Sequence, residues 1–161
     1  MMNQPRRGPV GGAPPPRDSR PPPPQLPEGY LREGYFDEKG NIRCDLISRM
    51  AEEVAKCLGN AGVTSAQLRR FFGQVRVIER LLQQTTFGEV CPQILSLKAK
   101  AANYVGRGSN NDERSRREVF KRFIDQNVDL IIKSPEKGFN KGFVPHFESV
   151  VAYHKYHFPT K

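Results

Sequence analysis

The chain has 161 residues, no tryptophan and only three cysteines, and its uninterrupted apolar runs are short. Cys44, Cys57 and Cys91 form no CxxC pair, so their spacing predicts neither a zinc site nor a disulfide framework. A membrane span needs roughly 20 consecutive apolar residues, and none is expected here. His154 and His157 have no cysteine or carboxylate nearby that would complete a ligand set, so no metal site is predicted.

The sequence also lacks the motifs of the common enzyme classes. It contains no nucleophile elbow, Walker loop, dinucleotide fingerprint or HExxH motif. Carboxylate pairs such as Glu52-Glu53 lie where solubility or the helix dipole explains them better than acid–base chemistry. We therefore expect a protein without enzymatic activity and without a cofactor.

The first 29 residues differ in composition from the rest of the chain. They hold 10 of the 14 prolines and only five apolar side chains, too few to offset the entropy lost on ordering. The composition predicts a disordered, Pro- and Arg-rich flexible tail over residues 1–29 and a single helical domain over residues 30–161. Arg6 and Arg7 precede no apolar stretch of the kind that secretory signals contain, so a cytoplasmic location is expected.

Apolar residues recur at helical spacing through most of the domain, while period-two strand patterns are absent over any useful length. A turn signal over residues 37–41 predicts a short arm or hairpin before the first helix. That helix is predicted to begin with Asp45 as its N-cap and to end at Gly59. Thr64 and Gln67 fit a capping box at the start of the second helix.

Proline and short polar residues mark the remaining helix starts. The third helix is predicted to begin near Cys91 with Pro92 in its first turn, the fourth after caps at residues 109–112, and the last around Pro145. Three phenylalanines spaced by four are predicted to be core residues: Phe139, Phe143 and Phe147. The expected fold class is all-α, a compact bundle of about five helices preceded by the tail and the short arm.

With metal sites and enzyme motifs excluded, positive charge is the feature of the sequence that points to a function. The chain carries 26 Lys and Arg against 17 Asp and Glu. Seven of the cations lie between Gly62 and Gly108 beside only two acids, so the charge is concentrated on the second and third helices. Such a face is typical of proteins that bind a polyanion through its phosphates. The candidate residues are Arg69, Arg70, Arg76, Arg80, Lys98, Lys100 and Arg107.

Helical geometry separates these cations into groups. On the second helix, one stripe beside the buried face contains Arg69, Arg76 and Arg80. On the third helix, Lys100, Asn103 and Arg107 share the side opposite the buried seam. Lys98 instead points close to that seam, so it must either extend its stem to solvent or meet an anion.

Several segments, taken in order, carry a family likeness. They are YFD at residues 35–37 with DLI at 45–47, TSAQLRRFF at 64–72, LKAK at 97–100 with Tyr104 and Arg107, and FE at 147–148 with AY at 152–153. The block T-x-x-Q-L-R-x-F followed by K-x-K-x-x-x-Y-x-x-R is the most specific part. In these residues the chain resembles the Csm family, the small helical subunit of type III-A CRISPR effector complexes. Carried over by position, the resemblance implies RNA contacts by Arg69, Lys98, Lys100 and Arg107, with Gln67 and Tyr104 in support.

The resemblance implies a non-catalytic subunit in antiviral defence, present in several copies that stack head to tail as an inner filament. Its basic face would lie along the backbone of the guide RNA and target RNA. Its protein partners would be further copies of itself and the backbone and large subunits of the Csm complex, with no membrane involved. Target RNA cleavage would belong to the backbone subunits, and DNA cleavage or cyclic oligoadenylate synthesis to the large subunit.

Two other functions stay open from the residues alone. A free-standing helical nucleic-acid-binding regulator would read bases from the N-terminal end of a recognition helix, where Gln67, Arg69 and Arg70 lie. A purely structural adaptor would turn the same basic face toward an acidic protein. A regulator would show sequence preference and specific dimerisation, whereas a filament subunit would bind RNA weakly and without sequence preference when isolated.

Overall fold

The structure is a computed structural model that describes residues 22–160 together with Gly8, Gly11 and Gly12. Within these residues the fold is all-α, as predicted, and its only strand-like pairing is an isolated antiparallel bridge between Phe36 and Ile42. The helices are α1 (Arg49–Asn60), α2 (Ser65–Leu82), α3 (Phe87–Gly106), α4 (Asn111–Lys133) and α5 (Val144–His157). A 3-10 turn, Cys44–Ile47, precedes α1, and a π-helical segment, Gly138–Phe143, leads into α5.

The helices form two main packed pairs, α1 with α5 and α3 with α4, and α2 lies against both α5 and α3. The predicted bundle of about five helices is therefore confirmed. Among the described residues, no helix combines the length and apolar character that a membrane crossing requires. The predicted disorder of residues 1–29 falls mainly on residues outside those described. Within residues 22–29, Leu26 packs against the core, and the Cys57 thiol donates a hydrogen bond to the Gln25 carbonyl.

The two helices with side-chain N-caps, α2 and α4, begin where the sequence predicts. The predicted capping box of α2 is confirmed: the Gln67 N–H donates to the Thr64 hydroxyl at 3.1 Å, and the Thr64 N–H donates to the Gln67 side chain at 3.0 Å. The Asn110 side chain caps α4 by accepting from the Glu113 N–H at 2.8 Å. All three bonds satisfy backbone N–H groups that a helix N-terminus leaves without partners.

Two helix starts differ from the sequence prediction. Asp45 does not cap α1: it lies in the 3-10 turn, and its carboxylate accepts from Arg43 at 2.8 Å. Helix α3 begins at Phe87, upstream of Cys91, so Pro92 lies inside the helix instead of in its first turn. The N–H that proline lacks would have bonded the Gly88 carbonyl. Gly88 is exposed, so solvent can satisfy that carbonyl.

Aromatic side chains fill the centre of the bundle. The three phenylalanines spaced by four are fully buried, which confirms their prediction as core residues. Phe147 contacts four other phenylalanines, from α2, α4 and the π-helical segment: Phe71, Phe72, Phe123 and Phe143. Burial of apolar side chains is the main favourable term in folding. The contacts among these rings therefore hold α2, α4 and α5 together.

A chain of buried hydrogen bonds runs through this aromatic centre. His146 Nδ1 faces the Leu46 carbonyl, which can only accept, so Nδ1 carries the hydrogen and Nε2 accepts from the Tyr30 hydroxyl. The Tyr30 oxygen accepts in turn from the Asn127 amide at 3.0 Å, and the Asn127 oxygen accepts from the Tyr35 hydroxyl at 2.7 Å. Because the Leu46 carbonyl can only accept, it determines which group donates in each of the hydrogen bonds that follow. We call this set the buried polar chain.

Burial keeps His146 of this chain in its neutral form. Desolvation lowers the pKa of His146 from 6.5 to about 4, although the Leu46 carbonyl opposes the shift. Between these pKa values the unfolded chain binds more protons than the folded one, so acidification destabilises the fold. Protonation would also break the bond from Tyr30, because Nε2 would no longer accept.

We expect the free energy of unfolding to fall by about 2 kcal/mol between pH 7 and pH 4.5 on account of His146. Urea titrations of the wild type and of His146→Gln at both pH values measure this contribution as the difference between the two pH dependences. The glutamine variant is less stable at pH 7, but its stability should change less with pH. Equal changes in the two proteins would show that His146 does not titrate in this window.

Candidate nucleic-acid interface

Helices α2 and α3 enclose a surface cleft of about 240 Å³. On α3 and its C-cap residue Arg107, the lining residues share one helical face, because they recur at intervals of three, four and seven: Lys100, Asn103, Tyr104 and Arg107. On α2 the facing side contributes Gln67, Arg70, Phe71 and Gln74. Phe120 of α4 and Val63, which precedes α2, complete the lining. We call this feature the α2–α3 cleft.

The α2–α3 cleft is strongly cationic. Three of its lining residues are positively charged, and none of the described residues that line it is acidic. Within residues 22–160, no carboxylate forms an ion pair with Arg70, Lys100 or Arg107. Several other cations of the domain are paired internally, among them Arg76, Lys98 and Arg117. The cations of the cleft are thus available to an anionic partner.

Tyr104 is held between the two helices and α4. Its hydroxyl donates to the Gln67 side-chain oxygen at 3.4 Å, the same oxygen that caps α2. Its ring meets Phe120 edge to face, with the centroids 5.4 Å apart, and the Arg117 guanidinium lies 4.4 Å from the ring centroid. Burial raises the pKa of the Tyr104 hydroxyl, so it stays protonated at neutral pH and serves as a donor.

The comparison with protein families bears on this architecture. A model of the family described as Csm2 Type III-A matches residues 42–160, which include all five helices and the whole lining of the α2–α3 cleft. The chain belongs to the Csm2 family. It is accordingly a small subunit of a type III-A CRISPR complex, as the sequence resemblance implied. No curated protein and no solved structure gives a significant match.

Three of the seven candidate cations, Arg70, Lys100 and Arg107, meet in this cleft of the Csm2-family chain, together with the predicted supporting residue Tyr104. Arg80 is exposed and lies outside the cleft lining. Arg69 is exposed but outside the cleft lining, because on a helix it lies about 100° around the axis from Arg70. The structure therefore separates two adjacent arginines that the sequence motif groups together.

Arg76 and Lys98 are engaged in ion pairs elsewhere. Arg76 bonds Glu79 and Glu148, each at 2.9 Å, and its guanidinium lies 4.9 Å from the centroid of the Phe72 ring. Lys98 forms an ion pair with Asp129 of α4. Of the two alternatives predicted for Lys98, a stem extended to solvent or an anionic partner, the structure shows a partner from within the domain. Neither cation reaches the α2–α3 cleft.

Sequence reasoning did not identify two polar residues of the cleft, Gln74 and Asn103, as site residues. Gln74 follows Arg70 by one helical turn, and Asn103 lies between Lys100 and Arg107 on the same face. The site residues were predicted mainly from their positive charge. Neutral amide side chains carry no charge and give no such signal. Among the described residues, no group of histidine, cysteine and carboxylate side chains is placed to hold a metal ion.

Proposed function

We propose that this Csm2-family subunit contacts the sugar-phosphate backbone of the guide RNA and target RNA through the rim of the α2–α3 cleft. The observation that carries the proposal is the cluster of three cations without an acidic partner, Arg70, Lys100 and Arg107. Arginine and lysine contacts to phosphates supply affinity without reading sequence. A subunit that must serve any guide sequence requires that kind of contact.

The subunit acts without catalysis, in several copies that stack as an inner filament in the cytoplasm. This part of the proposal rests on the resemblance and on the absence of enzyme motifs from the sequence. In this arrangement the large and backbone subunits perform the cleavage reactions. The small subunit lines the channel that holds the RNA, and its cleft faces that channel.

Gln67 argues against a free-standing regulator. A base-reading glutamine at the start of a recognition helix needs a free amide. Here the Gln67 side-chain oxygen accepts from the Thr64 N–H at 3.0 Å and from the Tyr104 hydroxyl at 3.4 Å. The residue is committed to capping α2 and to joining α2 with α3. The experiment below distinguishes the proposed RNA contact from the function of a structural adaptor, in which the same basic face binds an acidic protein.

Replacing the three cleft cations, Arg70→Ala/Lys100→Ala/Arg107→Ala, should weaken RNA binding and flatten its salt dependence. Each lost phosphate contact lowers the slope of log affinity against log salt by about 0.7 to 0.9, so the slope should fall by about 2. Filter binding over a salt series, with the full chain alone and with the reconstituted complex, measures both quantities.

A matched control removes three exposed cations outside the cleft, Lys56→Ala/Lys133→Ala/Lys155→Ala. The net charge changes equally in the two variants, so a general effect of charge would affect them alike. Assembly of the complex should survive in both. Intact RNA binding with failed assembly of the cleft variant would contradict the proposal and favour the adaptor function.

A second prediction compares two lysines on α3. Lys100→Ala should lower the salt slope by about 1 because Lys100 lines the cleft without an ion pair. Lys98→Ala should leave the slope nearly unchanged because Asp129 already neutralises Lys98. The same binding assay applies to both single variants. A larger effect of Lys98→Ala would place the RNA on the opposite side of α3.

A further inference from the structure

A second concave surface lies away from the α2–α3 cleft. It is a pocket of about 420 Å³ between the N-terminal segment and α4. The segment contributes most of its lining, including Gln25 and Arg32, and α4 contributes Arg122 and Gln126. This pocket and the α2–α3 cleft share no lining residue. We call it the Arg32–Arg122 pocket.

The Arg32–Arg122 pocket presents accessible, unpaired donors. Arg32, Arg122 and the two glutamines, Gln25 and Gln126, are all exposed. Within residues 22–160, no carboxylate forms an ion pair with either arginine, and no acidic residue is among the described residues that line the pocket. Guanidinium and amide N–H groups donate to anionic oxygens. The pocket is therefore suited to an anionic ligand that approaches from solvent.

A tight turn positions Arg32. The Tyr30 N–H donates to the Pro27 carbonyl at 3.1 Å, and the Arg32 N–H donates to the Gly29 carbonyl at 2.9 Å. Gly29 has a φ of 72°, and the Arg32 guanidinium carbon lies 3.6 Å from the place that a Cβ of residue 29 would take. Leu31 has a φ of 60°, which is strained for a residue other than glycine. Strain of this kind is concentrated at binding and active sites.

The other parts of the pocket are held in place as well. Leu26 packs against the core, and the Cys57 thiol donates to the Gln25 carbonyl at 2.9 Å. Arg122 and Gln126 are one turn apart, so they lie on the same face of α4. A ligand therefore meets a site that is largely formed before binding, which lowers the entropy cost of association.

Two features favour a peptide over RNA as the ligand. Arg122 lies about 200° around the axis of α4 from Phe120, which lines the α2–α3 cleft. RNA held along that cleft is then on the other side of α4, a step that rests on the proposed function. Leu26 and Pro27, both half-buried, add apolar surface beside the arginines. An acidic peptide brings aliphatic carbons together with its carboxylates, whereas an RNA backbone does not.

We propose that the Arg32–Arg122 pocket binds an acidic segment of a neighbouring protein subunit in the assembled complex. Carboxylates of that segment accept hydrogen bonds from the Arg32 and Arg122 guanidinium groups, which match carboxylate geometry. The amides of Gln25 and Gln126 bond its backbone. The subunit thus uses one basic surface for RNA and a separate one for a protein.

Replacing each arginine by lysine gives the direct test, because the charge is kept and an amine is introduced. A water-soluble carbodiimide joins an amine to a carboxylate only when the two are in contact. In the assembled complex, Arg32→Lys and Arg122→Lys should each form a new cross-link to an aspartate or glutamate of a neighbouring subunit. Mass spectrometry of the cross-linked peptides identifies that residue. Arg116→Lys, at an exposed position of α4 outside the pocket, is the matched control and should form none.

The outcomes separate this inference from the proposed function. Absence of cross-links from residues 32 and 122 to another subunit, in a complex that has assembled, would overturn the inference and leave the RNA contact intact. Ultraviolet adducts of RNA on wild-type peptides that contain Arg32 or Arg122 would assign the pocket to phosphates and also overturn it. If such adducts formed there and not at the α2–α3 cleft, the proposed function would fail as well.

A binding assay with the full chain alone measures the strength of the contact. The probe is a fluorescent peptide of alternating glutamate and leucine residues, and a second probe carries glutamine in place of glutamate. Arg32→Ala/Arg122→Ala should weaken binding of the acidic peptide by about tenfold or more, because a hydrogen bond to a charged group contributes a factor of that order. Lys133→Ala/Lys155→Ala removes the same charge outside the pocket and should leave the affinity nearly unchanged. Equal weakening in the two variants, or equal affinity for the two peptides, would overturn the inference.

Discussion

The buried polar chain from the Leu46 carbonyl to Tyr35 is the constraint on which the rest of the structure depends. It joins four separate parts of the fold: the 3-10 turn, the N-terminal arm, α4 and α5. Burying a polar group without a hydrogen-bond partner costs free energy. The buried polar chain is therefore stable only when all four parts are in place. Asn127 fixes α4 in this way, and α4 in turn positions Phe120 beneath the α2–α3 cleft.

The domain distributes its positive charge in two ways. Cations such as Arg76, Lys98 and Arg117 bond acidic side chains of their own or neighbouring helices. The cleft cations have no such partners within residues 22–160, and the buried Gln74 side-chain oxygen below them has no hydrogen-bond partner among the described residues. Cations without an ion pair also lie elsewhere on the surface, among them Lys56, Lys133 and Lys155. At the junction of α2 and α3, however, three of them line one cleft that has no acidic lining residue among those described.

Local signals in the sequence predicted the all-α fold, the capping box of α2 and the buried phenylalanines, because each depends on neighbours a few residues apart. The start of α3 was mispredicted because Pro92 is a common first-turn residue, although the pattern Thr86-x-x-Glu89 was a local signal for a helix that begins at Phe87. Long-range contacts were out of reach. The partner of Lys98 is on α4, and the choice of Arg70 over Arg69 as a cleft residue depends on how α2 is rotated against α3.

The central claim is that the α2–α3 cleft is the surface of this Csm2-family subunit that lies against RNA. Ultraviolet cross-linking of the assembled complex with guide and target RNA, followed by mass spectrometry of the RNA-bound peptides, tests it most directly. The account predicts adducts on peptides from α2 and α3, including Tyr104, whose ring lies at the cleft. Adducts confined to α1 and α5, which contribute no residue to the lining of the cleft, would contradict it.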